Sequence, residues 1–190
     1  MKRLLIPLLM TMVVLSAYAQ EESPVDTKTT KKLTKEQKQE LRRIEEEESA
    51  KLVTMMVETQ RFVLEADYLS DHTGQRVFVS NTINFIAVDS NKITIQLATV
   101  SGVGGVNGMG GITADGNITS FEVDKSGKYQ DAYSIHIVAM TRIGTFDIFL
   151  DVLPSANADA SVRGNTGGKL NYHGRLVPLH ASKVFKGMSI

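Results

Sequence analysis

From Arg61 onward the chain alternates apolar and polar residues with a period of two, and this spacing constrains the fold more than any other feature. Phe62, Leu64, Ala66 and Tyr68 are set against Arg61, Glu65 and Asp67, with Val63 out of step. Ile93, Ile95 and Leu97 alternate with Lys92, Thr94 and Gln96, while Phe146, Ile148, Leu150 and Val152 oppose Asp147 and Asp151. Ala158, Ala160 and Val162 repeat the pattern, and Leu170, Tyr172, Gly174 and Leu176 close it. Successive strand side chains point to opposite faces, so one-sided alternation predicts antiparallel strands over a single core. Turn-forming clusters at Asp89–Asn91, Asp115–Asn117, Lys125–Gly127 and Asn165–Gly168 punctuate the runs. About eight strands result, near 61–69, 75–80, 82–88, 92–100, 117–123, 131–141, 145–153 and 157–176, the last with room to divide. No run long enough for a helical crossover separates them, which argues against parallel βαβ units. The expected fold is mainly β: an antiparallel β-sandwich or small barrel of about eight strands over 58–190, with the choice between the two left open.

A different period precedes the strands. Residues 34–57 contain neither proline nor glycine, and Thr34 and Gln37 stand at capping-box spacing. Leu41, Ile44, Leu52 and Met55 mark one face, interrupted by Glu48. The spacing predicts one amphipathic N-terminal α-helix over 34–57. Charge dominates its first half and apolar residues its second, so the second half should pack on the β domain while the first projects into water. A coiled-coil arm would need more heptads than this helix offers.

The first nineteen residues read as an export signal. Lys2 and Arg3 precede the apolar run Leu4–Leu15, and Ala17–Ala19 forms a small-residue cleavage box. The run is too short to span a bilayer comfortably. Residues 1–19 are therefore expected to be a signal peptide cut between Ala19 and Gln20, leaving a mature protein without a membrane span, periplasmic or secreted. Residues 20–33 are polar and aperiodic, and the sequence predicts a flexible leader there.

Composition narrows the chemistry. With no cysteine, disulfides, thiolate metal sites, cysteine nucleophiles and a lipid on an N-terminal cysteine are all excluded. Basic and acidic residues balance at 21 each, and the signal holds two of the basic ones. The only basic cluster, Lys28–Lys38, lies beside the acidic Glu45–Glu48, so no nucleic-acid partner is expected.

The most unusual segment is glycine-rich: Gly102, Gly104, Gly105, Gly108, Gly110 and Gly111, with Asn107 among them. Such loops can cradle phosphate through bare backbone N–H groups, but no Gly-Lys-Ser/Thr ending or following helix is present. The dinucleotide fingerprint fails where Asn107 stands in place of glycine. The segment reads as a loop between strands and as the first candidate for ligand binding. Asp67, Asp71 and His72 cluster at the end of the first strand, a candidate metal site whose plainer reading is a polar turn. His72, His136, His173 and His180 show no metal-binding spacing, and His136 and His173 should point outward. Asp147 and Asp151 lie about 13 Å apart along one strand face, beyond glycosidase separations. No Gly-x-Ser-x-Gly elbow exists. No catalytic residue and no cofactor is assigned.

The order of parts, with Phe62–Ala66, Asn81–Val88 and Leu170–Leu176, resembles the domain-of-unknown-function 4251 family, exported proteins of Bacteroides-type bacteria. The resemblance covers most of residues 50–180. It implies export and β architecture and supplies no catalytic residues. Family members often carry a Pro-Tyr-x-Gly-like element after the third or fourth strand; here Val100–Gly104 lacks both proline and tyrosine.

Three functions remain in view. The leading one is a non-catalytic binding module, soluble and exported, which takes an envelope protein, glycan or small ligand through the glycine-rich loop and adjacent strand ends. The second is a lipocalin-like small-molecule carrier, which an interior filled by Phe62, Ile95, Ile137 and Leu150 would remove. The third is an envelope or glycan hydrolase using Asp67, Asp71 and His72, with the further possibility of groups assembled from distant strands, which sequence cannot display.

Overall fold

The computed structural model describes residues 34–98, 111–125, 131–165 and 168–189; the expected signal peptide and leader lie outside them. Among the described residues one helix, α1 (Lys35–Thr59), precedes nine strands. These are β1 (Arg61–Ser70), β2 (Arg76–Phe78), β3 (Phe85–Asp89), β4 (Lys92–Ala98), β5 (Gly111–Lys125), β6 (Tyr133–Thr141), β7 (Gly144–Val152), β8 (Asn157–Gly164) and β9 (Lys169–Pro178). All neighbours are antiparallel, in the order β1-β3-β4-β5-β6-β7-β8-β9. β9 then returns to pair with β1 from Phe62↔Pro178 to Ser70↔Asn171. Eight strands thus close into a barrel, and β2 is an extra strand on the far end of β1. Closure decides between the two architectures that the alternation allows.

The alternation fills the barrel as expected over most of its circumference. Ile148, Leu150 and Val152 of β7, Ala158, Ala160 and Val162 of β8, and Tyr172 and Leu176 of β9 all join one core with Phe62, Leu64 and Ala66. Burial of each large side chain contributes about 1.5–3 kcal/mol. Tyr68 departs from its expected inward position. A bulge at Asp67 shifts the β1–β9 register between Ala66↔Gly174 and Tyr68↔His173, so the parity of β1 reverses. Leu69 takes the inner position, and Tyr68 stacks outside on His173.

The expected turn at Asp115–Asn117 is also corrected. These residues lie inside β5, where Gly116 pairs with Ile93 on one side and Thr141 on the other. A Cβ on Gly116 would come within 2.3 Å of the Met140 carbonyl oxygen, so glycine here serves close backbone approach in a continuous strand.

α1 closes one end of the barrel. Residues 34–48 are exposed throughout, as the charge gradient predicts. The packing face is not the Leu41, Ile44, Leu52, Met55 stripe, all of which are exposed; Val53, Met56 and Val57 enter the core instead. The contact involves only the last two turns, so the long stripe has no barrel wall to face. Thr54 Oγ1 lies 3.0 Å from the Tyr133 hydroxyl at the start of β6, and α1 also touches β1 and β9. Gln60, at φ 52°, turns the chain from helix directly into β1.

After β9 the chain runs along the outside of the barrel. The fully buried Gln96 side chain anchors it. Gln96 Nε2 donates to the carbonyls of Ile83 (3.0 Å) and Phe185 (2.9 Å), and its Oε1 accepts from Thr113 Oγ1 (3.1 Å) and the Gly187 N–H (2.8 Å). All four bonding positions of the amide are used, which is what permits its burial. Lys186 pairs with Asp115 at 2.6 Å, and Ser182 donates to Glu65 at 2.7 Å.

Two outcomes follow from this packing. A Cβ on Gly174 would meet the Glu65 carbonyl oxygen at 1.9 Å, at the bulged seam between β1 and β9. Gly174→Ala should therefore destabilise the barrel by about 3 kcal/mol, the upper end for overpacking, read as a lowered denaturation midpoint. The second concerns acid. Burial raises the Asp115 carboxyl, but the hydrogen bonds from Lys186, Ser189 and Thr94 together outweigh it and hold the group below its ordinary 3.8. The unfolded chain then takes up the proton first as pH falls, so this contribution is present above about pH 4 and lost through the lower folded value. Amide exchange at Phe185 and Gly187 should quicken across that window, and Asp115→Asn should flatten the dependence.

Candidate functional site

Among the described residues, the end of the barrel opposite α1 is not filled. Here β4 ends, β5 begins, the β6–β7 turn lies and β8 passes to β9. Ile95 and Leu97 from β4 and Ile112 and Ala114 from β5 form one side of a cavity of about 560 Å³. Phe146, Val162, Leu170 and the turn residue Ile143 form the other. Small-ligand sites are usually of this size and apolar character, with a few polar groups to orient the guest. Those groups are present at the rim as Asn165 and Lys169.

Tyr172 makes the floor. It points inward from β9, is fully buried, and its hydroxyl reaches across the lumen to donate to the Gln96 carbonyl at 3.3 Å. Burial pushes its phenol above the usual range, so the group remains a donor throughout the accessible pH. Phe62, Ile137 and Leu150 are buried in the core on the α1 side. Ile95 belongs both to that core and to the cavity wall. The interior is therefore packed in one half and, among the described residues, open in the other.

The sequence-predicted residues fall unevenly around this site. Gly102, Gly104, Gly105, Asn107, Gly108 and Gly110 lie outside the described residues. Gly111 is the first residue of β5 and pairs with Ala98, immediately beside the cavity residues Leu97 and Ile112. A Cβ there would stand 1.8 Å from the Leu97 carbonyl oxygen, so strand approach by itself demands glycine.

Asp67, Asp71 and His72 are near the same end of β1 but on the outside. Asp67 is the exposed bulge residue. Asp71 Oδ1 accepts from the Thr73 N–H (2.8 Å), the Thr73 hydroxyl (2.7 Å) and the Gln75 N–H (3.0 Å), which builds the turn into β2. Among the described residues no group of three His, Asp or Glu is placed to hold a metal ion. His136 and His173 both point outward as expected. His136 Nε2 lies 2.5 Å from Asp147 Oδ1, with its ring stacked on Phe149 at 4.4 Å. Sequence reasoning missed the cavity role of Ile143, which sits in a tight turn with no periodicity around it.

The family model for a domain of unknown function, DUF4251, matches residues 44–176, from the middle of α1 to the end of the barrel. The chain belongs to the DUF4251 family. A DUF4251 protein of Bacteroides eggerthii, known from its crystal structure, is similar at 26% identity and a TM-score of 0.62, over 73% of this chain and 93% of that one. No curated protein matches. The DUF4251 match takes in every cavity residue and stops before the outer C-terminal run. No helix among the described residues is long and apolar enough to cross a membrane.

In this DUF4251 barrel the Asp71 carboxyl is held below 3.8, first by the Thr73 hydroxyl bond and against its own desolvation. An NMR titration should find it protonating below that value, and Thr73→Ala should move it back up. An unchanged titration in the variant would show that the turn bond is not formed in solution.

Proposed function

We propose that this DUF4251 protein is exported to the periplasm or beyond, where its barrel mouth binds a small, mainly apolar ligand. The observation that carries the reading is the half-filled lumen: an apolar cavity of ligand size, floored by Tyr172 and open at the end away from α1. Export is supported by the charged start, the short apolar run and the Ala17–Ala19 box. The strand residues next to the glycine-rich segment, Leu97 and Ile112, also line the cavity, so the loop-and-strand-end reading and the cavity reading meet at one place. Lys169 at the rim favours an amphiphile with an anionic head over a neutral hydrocarbon.

The neutral fluorescent probe N-phenyl-1-naphthylamine and decanoate as its competitor test this. Saturable probe binding is expected, with displacement by decanoate. Ile112→Glu places a carboxylate on the partly exposed cavity wall and should weaken the probe about tenfold or more, a loss of at least ~1.4 kcal/mol. Lys169→Glu should weaken decanoate more than the probe. Absence of saturable binding, or affinity unmoved by Ile112→Glu, would overturn the assignment.

A further inference from the structure

We propose that Ser70, His173 and Asp159 form a nucleophile–base–acid relay on the outer wall of the barrel, able to cleave small carboxylic esters through an acyl-Ser70 intermediate. The three residues come from β1, β9 and β8, and the barrel brings them together across register pairs. Ser70 Oγ lies 2.9 Å from His173 Nε2, and His173 Nδ1 lies 2.6 Å from Asp159 Oδ1. An ionised carboxylate only accepts, so Nδ1 carries the proton facing Asp159. In neutral histidine Nε2 is then the acceptor, and the Ser70 hydroxyl must donate to it. That is the proton arrangement a serine nucleophile requires, and such relays are recognised by geometry rather than chain order.

The bulge at Asp67 creates the arrangement. Without its reversal of parity Ser70 would point into the barrel; with it, Ser70 and Tyr68 both face outward beside His173. Tyr68 stacks on the His173 ring at 4.4 Å and 12°, which fixes the imidazole plane. Asn171 Nδ2 donates to Ser70 Oγ at 3.2 Å, and Arg76, the register partner of Ser70 on β2, holds its guanidinium 5.1 Å from the Tyr68 ring centre. In the proposed reaction these two side chains are the N–H donors that would turn toward the oxyanion. Ser161 Oγ, a buried oxygen without a hydrogen-bond partner, stands across from Asn171. Phe78, 82% exposed, meets the Tyr68 edge and offers an apolar shelf for the acyl or alcohol portion.

In the reaction, Ser70 Oγ bonds to the ester carbonyl carbon as its proton passes to His173 Nε2. The carbon–alkoxy bond breaks and the leaving oxygen takes that proton. Water then attacks the acyl carbon and gives a proton to Nε2, the carbon–Oγ bond breaks to release the acid, and Ser70 Oγ takes the proton back. Asp159 is 68% exposed at its side chain and Ser70 only 7% exposed overall. A solvated acid and a recessed nucleophile give slow turnover, so a covalent readout is the better one.

A fluorophosphonate, which phosphonylates activated serines with loss of fluoride, should label the full chain once, at Ser70, by peptide mass mapping. Para-nitrophenyl acetate hydrolysis should fall to background in Ser70→Ala. Asp159→Asn alters an exposed carboxylate, leaves the core untouched and should slow labelling about 10²–10⁴-fold, because the amide can donate to Nδ1 and hold the imidazole in the tautomer protonated at Nε2. Met140→Gln, an exposed change on β6 outside both sites, should leave labelling unchanged. No adduct on the folded protein, an adduct on another serine, or equal labelling rates in Asp159→Asn would overturn the proposal.

Discussion

The pairing of β1 with β9 is the constraint on which the rest of the structure depends. Eight antiparallel strands with one apolar face each would form an open, two-edged sheet if that seam failed, and exposed edges invite association with other chains. The seam runs the length of both strands, from Phe62↔Pro178 to Ser70↔Asn171. It is also where the backbones press hardest, with Gly174 held against the Glu65 carbonyl. The bulge at Asp67 accommodates the curvature that closure imposes, and its cost is one unpaired residue in the ladder. Its consequence is larger than its cost: every side chain of β1 beyond it changes face.

Closure leaves two ends to cover, and the chain treats them differently. One end receives Val53, Met56 and Val57 from α1, which complete the packed core and need no more than two helical turns. An eight-stranded barrel is just wide enough for side chains to fill, and around Phe62, Ile137 and Leu150 they do. At the other end the inward positions of β5 and β8 include the small residues Ala114 and Gly164, and among the described residues the lumen stays partly open. The cavity is thus a deficit of side-chain volume at a defined place, braced by the Tyr172 hydroxyl on the Gln96 carbonyl.

Much of this was legible in the alternation. The inward sets of β7, β8 and β9 were readable residue by residue, because each strand is flat enough to keep its period and one face is uniformly apolar. β1 misled at Tyr68, since a bulge follows from closure and leaves no compositional trace. Asp115–Asn117 misled because the residues that make turns also serve a strand that must approach its neighbour closely at Gly116. The helix misled in its facing residues, since an amphipathic stripe along 25 residues carries no record of how few of them meet the barrel. Barrel closure, the cavity and the relay on the outer wall are products of pairings between residues about 100 apart, such as Ser70 with His173, and no local window contains them.

The two sites are linked by the pleat of β9. Leu170 and Tyr172 face the cavity, while Asn171 and His173, between and beside them, face the outer wall. A slip of one residue in β9 would exchange the two sets at once, placing imidazole and amide in an apolar lumen and a tyrosine ring in water. The penalty for that exchange is large, since each buried polar group without a partner costs about 1–3 kcal/mol. The register of β9 is therefore fixed from both sides of the sheet. Point changes confined to one face, such as Ile112 or Asp159, act on one site alone, while changes to the seam itself must act on both.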